Sequence, residues 1–134
     1  MPEPGDDITY AIDPFPDDAQ LSALWRRGWQ AEPPASFAPV LSRSLAHLGA
    51  YRRDRLVGFV NVAWDGGAHA FLLDPTVDPD FRHRGIGTEL VLRAASLARQ
   101  RGADWLHVDF EPRLESFYRR CGFGPTTAGL LRLR

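Results

Sequence analysis

The chain has no lysine: all sixteen of its basic residues are arginines. No side-chain amine is therefore present for an acyl donor to modify within the chain itself. It has one cysteine, Cys121, so no disulfide within the chain is possible. Net charge is −1, which leaves no electrostatic footprint for a nucleic acid or a membrane surface. No apolar run reaches the length of a membrane span, and no basic segment followed by an apolar stretch opens the sequence. Gly-Lys-Ser/Thr and G-x-G-x-x-G are both missing, which excludes a Walker-type loop and a dinucleotide fingerprint. These absences predict a cytoplasmic protein with no nucleic-acid or membrane partner. No metal is expected.

What is present fits one globular domain. The 134 residues are 44% hydrophobic and 25% charged, an ordinary balance for a single core. We expect one domain over 1–134, led by an acidic, Pro-containing and disordered segment over 1–7. Ile8 to Ile12 alternates as a strand does. Asp17 or Asp18 can cap a helix running to about Trp29, with Leu21, Leu24, Trp25 and Trp29 on one face. Pro33, Pro34 and Pro39 interrupt the next stretch, and a short helix is expected around Val40 to Leu45. Leu48 to Arg52 and Leu56 to Trp64 read as a hairpin around Arg53-Asp54. Asp65-Gly66-Gly67 is a turn signal, and Ala68 to Val77 is the next strand. A helix over about Gly85 to Arg101 carries Ile86, Leu90, Val91, Ala94, Leu97 and Ala98 on one face, with Gly102 beyond its end. Trp105 to Phe110 is a strand. Leu114, Phe117, Tyr118 and Cys121 fall at helical spacing after Pro112, and Leu130 to Arg134 reads as a terminal strand. The fold class is mixed α/β: an antiparallel meander, then two strands joined by one crossover helix and therefore parallel.

The most informative stretch runs from Val77 to Thr88. An apolar strand feeds it and an amphipathic helix leaves it, with Arg82, Gly85 and Gly87 spaced R-x-x-G-x-G. The first N–H groups of a helix have no partner within it, and the helix dipole favours negative charge there. Glycine lets main chain approach a phosphate with no Cβ between them. The ligand should carry a phosphate or pyrophosphate.

Arg82-His83-Arg84-Gly85-Ile86-Gly87 resembles the acyl-CoA pyrophosphate loop of GNAT-type N-acetyltransferases. Phe117-Tyr118-Arg119-Arg120-Cys121-Gly122-Phe123 looks like the F-Y-x-x-x-G-F element that closes the CoA-binding half in that family. Both occur in the family's order and separation, and the resemblance is best from about Leu56 to Phe123. It implies a GNAT-like fold in which the parallel strands splay and the pantetheine arm lies in the gap. It also implies an acetyl-CoA-dependent N-acetyltransferase, acting by direct transfer in a ternary complex on a primary amine of a small molecule or peptide. The alternative is a catalytically silent CoA-binding regulatory module. A monomer and a homodimer are both open.

The resemblance also implies site residues. Main-chain groups of Thr76 and Val77 would bind the pantetheine amides. Arg82, His83, Arg84, Gly85, Ile86, Gly87 and Thr88 would wrap the pyrophosphate. Tyr118 would be the general acid that protonates the leaving thiolate. Base candidates lie in or beside the two cleft strands: Asp74 and Glu111 first, with Asp109, His69 and His107 also there. The family often has an Asn near position 111, where this chain has Glu111. Trp25, Trp29, Phe37, Trp64 and Phe71 make the acceptor half aromatic-rich, suited to an apolar acceptor or a cation–π contact. Cys121 reads as a small buried hydrophobe.

Overall fold

The computed structural model describes residues 7–134, so the expected lead falls, Asp7 apart, outside the described residues. β1 (Ile8–Ile12) is followed by α1 (Asp18–Trp29) and the one-turn α2 (Ala38–Leu41). Then come β2 (Ala46–Arg52), β3 (Arg55–Trp64) and β4 (His69–Val77). A 3₁₀ turn (Pro79–Phe81) leads to α3 (Ile86–Gln100) and β5 (Trp105–His107). A second 3₁₀ turn (Pro112–Leu114) runs into α4 (Glu115–Arg120). The five strands form one sheet in chain order. β1 to β4 pair antiparallel, and β4 pairs β5 parallel.

Local chemistry explains the boundaries. The Asp17 carboxylate accepts from Gln20 N–H at 2.8 Å, which caps α1. Arg52 pairs with Arg55 across a two-residue turn in which Arg53 takes positive φ. At the end of α3, Gly102 has φ +103 and Ala103 N–H reaches back to Ala98 O at 3.0 Å, a Schellman-type stop. Pro39 does not break the short helix but sits in its first turn, where a missing N–H costs nothing. The helix therefore ends at Leu41, short of the expected Leu45, and Leu45 N–H bonds Val62 O at 2.8 Å at the start of β2.

Both faces of the sheet are packed. Leu48, Ala50, Val60, Val62, Ala70 and Leu72 meet the six expected apolar residues of α3. On the opposite face Phe59 packs with Leu21 and Leu24 of α1, and with Phe37 and Leu41 around α2. Two strand expectations fail. β5 stops at His107, not Phe110, because among the described residues it pairs with β4 alone and that pairing ends there. No strand forms over Leu130 to Arg134: Leu130, Leu131 and Leu133 are 91%, 81% and 84% exposed. Alternation alone does not make a strand; an edge to bond to is also required.

Candidate functional site

β4 and β5 are bonded over three residue pairs, His69↔Trp105, Ala70↔Leu106 and Phe71↔His107. β4 then runs on to Val77 with no strand among the described residues paired on its β5 side, so the ladder between the two strands opens there. β4 bends just beyond this point. Thr76 pairs with Phe59 and Leu73 with Asn61, so Asp74 and Pro75 together face Val60 as a bulge. Asp74 takes φ +56 there, and Pro75 needs no ladder donor. Asp78 N–H bonds Val57 O at 2.8 Å. By antiparallel alternation Thr76 likewise turns its main chain to β3, and Val77 turns its own toward the gap. Thr76 is held by its side chain as well. Its hydroxyl accepts from Trp29 Nε1 at 2.7 Å and donates to Asp74 O at 2.9 Å.

The mouth of the gap is the start of α3. Gly85 caps it in the left-handed region, φ +81, with no side-chain cap. Ile86, Gly87 and Thr88 therefore present main-chain N–H groups with no helical partner. A Cβ on Gly87 would lie 3.6 Å from Phe117 Cζ and 3.7 Å from Val77 Cγ2. The loop, the end of β4 and α4 thus converge at Gly87.

The loop is stapled to the rest of the fold by Asp78, which is 1% exposed. Its carboxylate accepts from Arg27 Nε at 2.8 Å, Arg27 Nη2 at 3.0 Å, Arg55 Nη2 at 2.8 Å and Asp80 N–H at 2.9 Å. Arg82 Nη2 adds a bond to Gly28 O at 3.2 Å. Burial would raise the Asp78 carboxyl pKa. The Arg27 bonds, the Asp80 N–H and the charges of Arg27 and Arg55 outweigh it and hold the group below the usual carboxylate value.

Tyr118 is 3% exposed. Its ring stacks on Phe110 at 4.7 Å and takes edge contacts from Phe117 at 5.0 Å and Phe123 at 5.7 Å. Among the described residues its hydroxyl has no hydrogen-bond partner. Among the described residues the one fully enclosed side-chain N or O atom without a partner is Trp25 Nε1, so the Tyr118 hydroxyl is not fully enclosed. Burial raises its pKa, and nearby Cys121 and Asp109 add to that.

The base candidates separate clearly. Asp74 is half-buried at the bulge, and burial raises its carboxyl pKa with no cation among the described residues to oppose it. Glu111 is exposed and bound to Arg113 at 2.8 Å. His69 Nδ1 and His107 Nε2 lie 2.8 Å apart, and Phe71 stacks on His107 at 4.8 Å. That pair stands where the gap begins. Trp25 packs against Trp29 and Phe37 beneath α1, while Trp29 and Phe71 remain partly exposed on the same side of the sheet.

A model of the acetyltransferase (GNAT) family matches residues 10–123. The chain belongs to that family. It is 29% identical over 100 residues to the uncharacterized N-acetyltransferase ycf52 of Porphyra purpurea, covering 72% of this chain and 58% of that one. The chain spans about half the length of the curated relatives it matches. A GNAT family protein from Streptococcus pneumoniae superposes with a TM-score of 0.82 at 22% identity, over 96% of this chain and 98% of that one. The aminoglycoside N-acetyltransferase AAC(6')-Iy in complex with CoA gives 0.75 at 16% identity, over 100% and 99%. Within a GNAT fold, the parallel β4–β5 pair and the crossover helix between them fall where the sequence placed them. Sequence reasoning missed Asp78, Arg27 and Arg55. Asp78 lies 51 residues from Arg27 and 23 from Arg55, and no local spacing links them.

Proposed function

We propose that the chain transfers an acetyl group from acetyl-CoA to a primary amine of a small molecule or peptide, directly within a ternary complex in the cytoplasm. One observation carries the reading: where the β4–β5 ladder ends after Phe71↔His107, the α3 start presents three N–H groups without a helical partner, and Gly87 there lies against Phe117, the chain neighbour of Tyr118. The Ile86, Gly87 and Thr88 N–H groups hold the pyrophosphate with help from Arg82, His83, Arg84 and Gly85. Val77 offers its main-chain groups to the pantetheine, and Thr76 keeps β4 in place through its side chain. The amine lone pair attacks the thioester carbonyl, the C–N bond forms and the C–S bond breaks. Tyr118 gives its proton to the departing thiolate. Asp74 is the carboxylate whose surroundings suit taking the amine proton, since burial raises its proton affinity. Glu111, solvated and paired, is not needed for the step.

Thiol release from acetyl-CoA, followed with a panel of primary amines, tests the reading. Acceleration by one class of amine is expected. Binding of acetyl-CoA with no release on any amine would instead favour the silent CoA-binding module. The loop assignment has its own test. Gly87→Val puts two methyl groups where Phe117 and Val77 leave room for one carbon. It should weaken acetyl-CoA binding about 10-fold or more, whereas Gly87→Ala should retain most of it. Undiminished affinity of the Val variant in calorimetry would remove the pyrophosphate from this helix start.

A further inference from the structure

One face of the sheet is left open at its β4–β5 end. Ala70, Leu72 and Leu106 turn toward α3 and pack in the core beneath it. By alternation Phe71 and Leu73 of β4 and His107 of β5 turn the other way, to the side on which α1 lies. There α1 and α2 close over Phe59 of β3, yet Phe71 stays 38% exposed and Leu73 37%. An amine that meets a thioester where the ladder ends at Phe71↔His107 must come over this face, because α3 covers the other.

Of the five aromatic residues expected on the acceptor side, two remain available. Trp25 and Phe37 pack against each other at α1. Trp64 pairs with Ala70 and so faces α3. Trp29 and Phe71 are left, and both are held. The Phe71 ring lies 4.8 Å from that of His107 and 18° from parallel, and His107 is bonded in turn to His69. The Trp29 indole is fixed beyond the bulge by its bond to Thr76. The result is an apolar strip along β4 with rigid rings on which another ring can stack.

The strip carries no fixed charge. Around Phe71 and Leu73 on the same face stand Asn61, His69, Trp105 and His107, and none of the six is an acid or an arginine. β4 itself supplies one carboxylate, Asp74. Nearby acids are engaged: Asp65 in its own turn, Asp78 with Arg27 and Arg55, Glu111 with Arg113. Asp109 stands past the end of β5, near Tyr118. One ammonium group on this face has a counter-charge in Asp74, and a second would lose water without gaining a partner.

We propose that the acceptor is an aromatic monoamine, its ring lying on the Phe71–Leu73 strip and its single amine reaching Asp74. The inference rests on the acetyl-transfer reading above and names the substrate class for that same site. Phe71 then determines specificity and takes no part in the chemistry.

The test is thiol release from acetyl-CoA by the full chain with four primary amines: 2-phenylethylamine, propylamine, glucosamine and spermidine. 2-Phenylethylamine should exceed each of the others in kcat/KM by about 10-fold or more, the size expected when much of an aromatic ring leaves water. Phe71→Ala should remove most of that advantage by raising KM for 2-phenylethylamine. It should leave kcat/KM for propylamine, which has the ammonium without the ring, near the wild-type value. Calorimetric affinity for acetyl-CoA should not change, which also shows that the variant is folded. Glucosamine or spermidine acetylated as well as 2-phenylethylamine by the wild type would overturn the acceptor class and leave acetyl transfer standing. An equal fall for 2-phenylethylamine and propylamine in Phe71→Ala would overturn the ring-binding role of Phe71. Binding of acetyl-CoA with no release on any of the four amines would overturn the acetyl-transfer reading and this inference with it.

Discussion

Tyr118→Phe should lower kcat by 10-fold or more with little change in acetyl-CoA affinity. The substitution keeps the ring that stacks on Phe110 and meets Phe117 and Phe123, and removes only the hydroxyl. That hydroxyl makes no hydrogen bond with the described residues, so its loss leaves no partner stranded in the core. The melting temperature should therefore barely move. General acid catalysis typically contributes about 10²–10⁴-fold, and water can take over part of it. The direction of the pKa supports the role. Burial, with Cys121 and Asp109 nearby, raises the phenol above its ordinary value, so the acid form persists through neutral pH. No fall in rate from this group is expected on the alkaline side until pH exceeds about 10. Steady-state kinetics with a chemically limited acceptor decides it. Wild-type turnover in Tyr118→Phe would rule the role out, because packing is the one thing the variant retains.

Local signals were legible in the sequence. The α3 stripe of Ile86, Leu90, Val91, Ala94, Leu97 and Ala98 is buried as its spacing required. The glycine loop and the F-Y-x-x-x-G-F element could be read because each is a short run whose chemistry is carried by neighbours in the chain. β4 could be followed to Val77 despite Pro75, because the bulge takes the proline out of the ladder. The tail shows the limit of the same method. Leu130 to Arg134 alternates like a strand, yet whether an alternating segment pairs depends on an edge elsewhere in the molecule.

The candidate site divides along the same line. Its candidate residues could be named from the sequence, but what holds them could not. Asp74 and Glu111 looked alike in sequence, each an acid near a cleft strand. One is half-buried with no cation and the other is a solvated ion pair, a difference set by packing from distant segments. The bond from Trp29 to Thr76 and the Asp78 network likewise join α1 to a loop some fifty residues later. Such contacts have no period and no motif.

That network gives the second large effect. Asp78→Asn should destabilise the fold by about 2 kcal/mol and weaken acetyl-CoA binding together. Removing one partner of a buried ion pair typically costs about 3–5 kcal/mol. Here Arg27 and Arg55 have side chains 44% and 52% exposed and can be rehydrated, which lowers the figure. The Asn amide also turns two donors toward guanidinium groups that themselves only donate. With the staple gone, Arg27 no longer ties α1 to the loop, and the N–H groups of Ile86, Gly87 and Thr88 lose their fixed aim. The pH dependence isolates the cause. The folded-state carboxyl pKa lies below the ordinary aspartate value of about 3.9. Its stabilisation is therefore complete above that value and is lost as pH falls through the lower folded value. Asn has no such dependence. The stability gap between wild type and Asp78→Asn should be flat from about pH 5 to neutrality and close in acid below about pH 4. Urea unfolding across that range measures it. A gap that stays constant into strong acid, or no gap at neutral pH, would show that the Asp78 charge does not hold the loop.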